Sequence, residues 1–175
     1  MAEGQQTEAM RVQLAEQHQA AFGWALGCCN GDAAQAEEVL QCSYLKILEG
    51  KACFGGRSSF KTWLFGVIRR TALEYRRRRF LQHLRFVYRS DEAQTDRSDE
   101  DVADQVQRQQ LQHRFREGLT ALPRRQREVM QLVLAHELTL QEASVVMGIS
   151  VGSVRQHYQR GKQRLRAILG ESETT

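Results

Sequence analysis

A chain of 175 residues holds one domain or two small ones, and a single proline among abundant Ala, Leu, Gln, Glu and Arg points to an all-α protein. The 41% hydrophobic content is enough for a core, yet no apolar run approaches the roughly 20 residues that span a bilayer, and the opening MAEGQQTE is too polar for a signal peptide. A membrane-inserted chain is therefore excluded and a cytoplasmic one expected, whose formal charge of +4 matters only where it is clustered.

Glu8 to Asn30 reads as one helix with a loose apolar stripe of Met10, Leu14, Ala21, Trp24, Ala25 and Cys28, ended by Asn30-Gly31. Asp32 then caps a second helix, Ala33 to about Glu49, with Gln35 in the capping-box position. Ala36, Val39, Leu40, Ser43, Tyr44, Ile47 and Leu48 form its expected buried side, leaving Glu37, Glu38, Gln41 and Lys46 outside. Gly50 stops it. The four cysteines, Cys28, Cys29, Cys42 and Cys53, contain no C-x-x-C pair, and reducing cytosol disfavours structural disulfides. Cys28 and Cys42 fit apolar helical positions and read as small core residues rather than as zinc ligands with His18. No metal or cofactor is expected.

Lys51 to Ser58, KACFGGRS, is a Gly-rich loop without the G-x-x-x-x-G-K-[ST] of a phosphate loop. From Ser59 the chain turns helical as FKTWLFGVIRRTALEYRRRR, with Trp63, Leu64, Val67, Ile68, Ala72 and Tyr75 as the expected buried face. Arg57, Lys61, Arg69, Arg70, Arg76, Arg77, Arg78, Arg79, Arg85 and Arg89 surround this helix, and Glu74 is the only acid between Arg57 and Arg89. Such a run is often a solvated face, but spread along a helix with aromatics beside it, it suits a nucleic-acid backbone and unstacked bases.

After Phe80 the charge reverses. Asp91, Glu92, Asp96, Asp99, Glu100, Asp101 and Asp104 stand against one Arg97, in a stretch too poor in apolar residues to fold alone. A helical pattern returns with Val102, Val106, Leu111, Phe115, Leu119 and Leu122, and Pro123 opens PRRQREVMQLVLAHE at the first-turn position.

The last stretch, Leu138 to Ile168, is the most informative. Thr139 and Glu142 form a capping box, Gly148 follows the last apolar residue Met147 where a left-handed residue is wanted, and Ser150 offers a second N-cap. Val154, Tyr158, Gly161, Leu165 and Ile168 make one stripe of the second helix. Its other face carries Gly152, Gln156, Gln159 and Gln163 with Arg155 and Arg160, and no acid occurs from Val151 to Gly170. Glutamine reads an adenine edge and arginine a guanine edge or a phosphate, so this is a helix-turn-helix fitted to the major groove. An ordinary helical hairpin would not need caps, turn, stripe and basic face together.

Two separate parts resemble one family. Gly31-Asp32 with AEEVLQCSYLKIL and FKTWLFGVIRRTALEYRRRR resembles the second conserved domain of bacterial sigma factors. ALPRRQREVMQL with LTLQEASVVMGISVGSVRQHYQRGKQRL resembles their fourth, and the short spacing is similar to the extracytoplasmic-function (ECF) group. The resemblance implies an all-α chain with sigma domain two at 1–82, a flexible acidic linker at 83–104 and sigma domain four at 105–175. It further implies a non-catalytic subunit that directs sequence-specific transcription initiation. Its partners would be core RNA polymerase (the clamp coiled coil of the largest subunit and the flap of the second-largest), promoter DNA and an anti-sigma factor. Localisation would be cytoplasmic, on the nucleoid within holoenzyme.

Carried over by position, Glu37, Glu38 and Gln41 match the helix that grips core polymerase. Phe54 and Arg57 lie in the loop that receives a flipped −10 base, and Lys61, Trp63, Arg69, Arg70, Arg76, Arg77, Arg78 and Arg79 match the melting helix. Ser150, Gly152, Ser153, Arg155, Gln156, Gln159, Arg160 and Gln163 are the expected −35 contacts. The chain departs from the family pattern with Cys42 for an acid, Arg70 for Asn, Glu74 for Asp and Val151 for Glu. The alternative is a helix-turn-helix regulator with an N-terminal sensor or dimerisation domain. An enzyme would need a held carboxylate cluster or a nucleophile-base pair, and the one acidic cluster falls in the linker stretch.

Overall fold

The structure is a computed structural model that describes residues 2–86, 115 and 117–170, with side chains described for 8–82, 115 and 117–170. The acidic stretch, Arg85 and Arg89 as side chains, and the apolar positions Val102, Val106 and Leu111 lie outside these. All regular elements among the described residues are helices: α1 (Ala2–Glu16), α2 (His18–Cys28), α3 (Ala33–Leu48), α4 (Phe60–Phe86), α5 (Arg124–Leu134), α6 (Leu140–Met147) and α7 (Val151–Gly170). The chain separates into two compact units, the first holding α1–α4 and the second holding α5 and α7.

In the first unit α2, α3 and α4 pack on one another around Trp24. The Trp24 ring stacks on Phe65 with centroids 5.7 Å apart, and its Nε1–H donates to the Phe65 carbonyl at 3.0 Å. A buried indole needs such a partner, and an aromatic pair of this kind adds about 0.5–1.5 kcal/mol beyond its buried area. Ala21, Ala25, Ala36, Val39, Leu64 and Ile68 complete this core. Ser43 is buried among them with its hydroxyl donating to the Val39 carbonyl at 2.7 Å, which removes the cost of an unpaired polar group.

The turn between α2 and α3 places Asn30 at φ 58° and Gly31 at φ 89°, and Asp32 Oδ1 then accepts the Gln35 amide at 2.9 Å. Asp32 is therefore the N-cap as expected, but the reciprocal half of a capping box is not made: the Gln35 side chain bonds the Asp32 carboxylate, and the Asp32 N–H donates to the Cys29 carbonyl at 3.2 Å. Four expectations for this unit are corrected. The helix read as continuous from Glu8 breaks at Gln17 (φ −93°, ψ 0°), where no Gly or Pro marks the site. Leu48 is exposed, and Tyr44, Trp63 and Tyr75 are half-buried rather than core. Cys42 is exposed, while Cys28 and the neighbouring Cys29 are buried. Phe65, absent from the expected face, is fully buried, since α4 packs against both α2 and α3. α4 runs on to Phe86.

In the second unit residues 117–120 are helical, and Leu119, Leu122, Met130 and Leu165 form a core flanked by Phe115, Tyr158 and Leu169. Pro123 stands at the N-cap of α5 rather than in its first turn, its carbonyl accepting the amides of Gln126 at 2.9 Å and Arg127 at 3.0 Å. Glu128 is buried on α5 and accepts from Arg124 Nε at 2.8 Å, one turn earlier.

Candidate nucleic-acid interface

The caps and turn between α6 and α7 form as their residue types require. Glu142 N–H donates to Thr139 Oγ1 at 3.1 Å, and Thr139 N–H returns a bond to Glu142 Oε2 at 2.9 Å. Gly148 takes φ 64°, Ile149 N–H reaches the Ser144 carbonyl at 3.2 Å and Gly148 N–H reaches that of Val145 at 3.3 Å. These two hydrogen bonds close α6 around a left-handed residue that a side chain would disfavour. Ser150 Oγ accepts the Ser153 amide at 3.1 Å and opens α7.

On α7, Val154, Gly161 and Leu165 are buried, with Tyr158 and Ile168 half-buried beside them. Ser150, Gly152, Arg155, Gln156, Gln159, Arg160 and Gln163 are exposed and Ser153 is half-buried, so the expected −35 residues share the outer face. Arg164 and Arg166 extend its positive charge. His157, between Gln156 and Tyr158, is held below the ordinary histidine range by burial and then by Arg125 and Arg160.

At the start of α4 the loop and helix gather aromatics. Phe54, Phe60 and Trp63 lie with ring centroids 5.3–5.5 Å apart, all half-buried. Ser59 Oγ accepts the Thr62 amide at 3.2 Å and so caps α4, while Lys61 Nζ stands 5.8 Å from the Phe65 ring centroid. Arg57 and Arg70 are exposed, and Arg70 Nε donates to the Gly66 carbonyl at 3.2 Å. Arg77, Arg78 and Arg79 are exposed further along, but Arg76 turns inward and donates to the Cys28 carbonyl at 2.9 Å, at the end of α2. The four arginines are thus not equivalent.

Glu37, Glu38 and Gln41 are exposed together on α3, and Cys42 and Leu45 extend the same surface. A hydrogen bond to Glu38 holds the Tyr75 hydroxyl of α4 above its ordinary range, with burial acting the same way. Lys46 ties the two helices again, at 2.6 Å to Glu74 Oε2 and 3.2 Å to Thr71 Oγ1. Sequence reasoning missed Tyr75 and Phe60 as members of these surfaces. Phe60 was visible as an aromatic beside a capping serine; the Tyr75–Glu38 pair required the α3–α4 packing. Among the described residues no three His, Cys, Asp or Glu side chains gather as metal ligands. No helix among them is long and apolar enough to cross a membrane.

Comparison with known proteins returns the same two segments. The model of Sigma-70 region 2 matches residues 14–81, and that of Sigma-70, region 4, matches residues 112–165. The ECF RNA polymerase sigma factor SigX of Bacillus subtilis (strain 168) is 30% identical over 140 residues, covering 77% of this chain and 71% of that one. The ECF RNA polymerase sigma factor EcfG of Rhodopseudomonas palustris (strain TIE-1) is 29% identical over 146 residues, covering 80% and 74%. In fold, the chain is similar to the sigma factor RpoE solved with the anti-sigma factor NepR from Bartonella quintana, with a TM-score of 0.73 at 20% identity over 93% of this chain and 98% of that one. It is also similar to CnrH solved with the cytosolic domain of CnrY, with a TM-score of 0.61 at 22% identity over 91% and 86%.

Proposed function

The chain belongs to the ECF group of bacterial RNA polymerase sigma factors, and from that premise we propose how its surfaces divide the work. A sigma factor binds core RNA polymerase and directs it to promoter DNA for transcription initiation. We assign −35 recognition to Ser150, Gly152, Ser153, Arg155, Gln156, Gln159, Arg160 and Gln163. The observation that carries this assignment is an exposed Gln/Arg face on a helix with no acid from Val151 to Gly170, opened by a capped turn. The glutamines supply base readout and the arginines backbone or guanine contacts.

The −10 element is assigned to Phe54, Arg57, Lys61, Trp63, Arg69, Arg70 and Arg77–Arg79. Extruding a base costs a few kcal/mol of unstacking, and a half-buried aromatic group of three rings beside exposed cations is suited to offset it. Arg76, bonded to the end of α2, supports that helix instead of meeting DNA. Glu37, Glu38 and Gln41 are assigned to the clamp coiled coil of the largest polymerase subunit, and the second unit also to the flap of the second-largest. The protein has no catalysis of its own, since nucleotide addition belongs to the core enzyme. It acts in the cytoplasm, on the nucleoid when in holoenzyme. An anti-sigma partner is part of this reading, supported by the complex in which its structural neighbour RpoE was solved.

Run-off transcription with purified core polymerase over genomic fragments tests the proposal. Discrete transcripts that require both core and this chain are expected. Specific duplex binding by the chain alone, without transcripts, would instead identify a helix-turn-helix regulator.

A further inference from the structure

Glu74 is the only acid between Arg57 and Arg89, and it sits within the arginine-rich part of α4. At the helical period it shares a face with Arg70, one turn before it, and with Arg77 and Arg78, one turn after it; all four are exposed. A glutamate four residues ahead of an arginine pairs well along a helix, so Arg78 is the default partner of Glu74 in an isolated α4. The structure pairs Glu74 elsewhere. Its Oε2 accepts from Lys46 Nζ of α3 at 2.6 Å, and the same ammonium donates to Thr71 Oγ1 at 3.2 Å. Thr71 is 4% exposed, so its hydroxyl fixes the ammonium at the seam between α3 and α4, and the carboxylate turns to meet it. Among the described residues Arg70, Arg77 and Arg78 have no carboxylate partner. The side chains of Lys46 and Glu74 are 31% and 56% exposed, and ion pairs this open contribute little to stability. Their effect on the charge that α4 presents is the larger one, because an arginine paired with Glu74 would offer a phosphate almost no net charge.

We propose that Lys46 is a positioning residue for promoter opening: it draws the one carboxylate of this surface to the α3–α4 seam and leaves Arg70, Arg77 and Arg78 at full charge for the backbone of the melted strand. This rests on the assignment of α4 to the −10 element and adds a residue of α3 that acts through Glu74 and touches no DNA itself. Losing the ammonium releases Glu74 to its neighbours on α4, and the helix then neutralises one of its own phosphate contacts.

The test follows promoter opening by holoenzyme, at saturating core polymerase, through the permanganate reactivity of unpaired thymines. Lys46→Met, which keeps the apolar stem, should lower opening several-fold, while Lys46→Arg should retain it. Glu74→Gln should open at least as well as wild type. Lys46→Met combined with Glu74→Gln should recover the level of Glu74→Gln alone, a non-additivity that a purely structural bridge would not give. Urea midpoints should change little in all four variants. Wild-type opening by Lys46→Met would overturn the proposal. A double variant as defective as Lys46→Met would make Lys46 a direct contact, and equal losses in the two single variants would make the bridge a strut; either overturns it as well. Arg70→Ala with Arg78→Ala separates the two levels. If that variant loses opening while Lys46→Met does not, the positioning role alone fails; if it opens like wild type, the −10 assignment of α4 fails and the role of Lys46 with it.

Discussion

Glu128 and His157 illustrate how a side chain's surroundings override its type. Glu128 has 2% of its side chain exposed and is paired with Arg124 Nε at 2.8 Å. A glutamate is read from sequence as solvated, so nothing in PRRQREVMQL singles it out as a core residue. Glu128→Ala leaves a gap and strands Arg124, and should cost about 3 kcal/mol in urea unfolding, whereas Glu128→Leu restores the volume and should cost less. Equal losses for the two would mean that cavity and charge play no separate parts. His157 makes a pH statement. Its folded pKa is depressed, by burial first and by Arg125 and Arg160 next, so the unfolded chain takes the proton earlier as pH falls. This contribution to stability is complete above about pH 6.5, the ordinary histidine range, and is lost as pH drops through it. Wild type should therefore lose more stability between pH 8 and pH 5.5 than His157→Gln does; an identical loss in both would sink the link. Because His157 is partly exposed, the difference is expected to be small.

Helices were legible wherever local chemistry fixes them. The N-cap at Asp32, the capping box at Thr139 and the left-handed Gly148 follow from residue type and spacing, and all three form. What the chain order did not disclose is set by neighbours. The break at Gln17 lies in a polar run without a breaker residue, and the burial of Phe65 depends on both α2 and α3 packing against α4. The outer face of α7 was readable because a helix that buries Val154, Gly161 and Leu165 must turn Gln156, Gln159 and Arg160 outward. The close approach of α5 to the buried side of α7 was not, since Gly161 gives no sign in sequence of what it meets. Gln156→Ala should cost about 1–3 kcal/mol at one base position and relax specificity there, while Arg160→Ala weakens all promoters alike. Equal loss on every −35 variant for both would refute this division. Gly161→Val should destabilise by about 1–3 kcal/mol through overpacking against Met130, read as a lower urea midpoint.

Two small units on one chain, each with its own core, allow surfaces to be disabled separately. Glu38→Lys with Gln41→Lys should abolish holoenzyme formation while the far-ultraviolet spectrum stays helical, since both residues are exposed on α3. A folded double variant that co-elutes with core polymerase at wild-type level removes this surface from the proposal. Replacing Asp96, Asp99, Glu100 and Asp101 by Asn or Gln tests the charge reversal in the sequence. Holoenzyme assembly should weaken at moderate salt and recover towards wild type at high salt, where screening suppresses the lost attraction. Unchanged assembly at low salt would make that stretch a spacer. The packing of the indoles has an optical consequence. Both tryptophans, Trp24 and Trp63, belong to the first unit, one sealed behind Phe65 and the other in the ring group beside the Gly-rich loop. Tryptophan emission therefore originates in that unit alone, while the second unit has only Tyr158 as an emitter among its described residues. Substituting Trp24 by Phe should leave Trp63 as the single tryptophan, quenched when a nucleobase stacks on it, so promoter opening becomes visible without a dye.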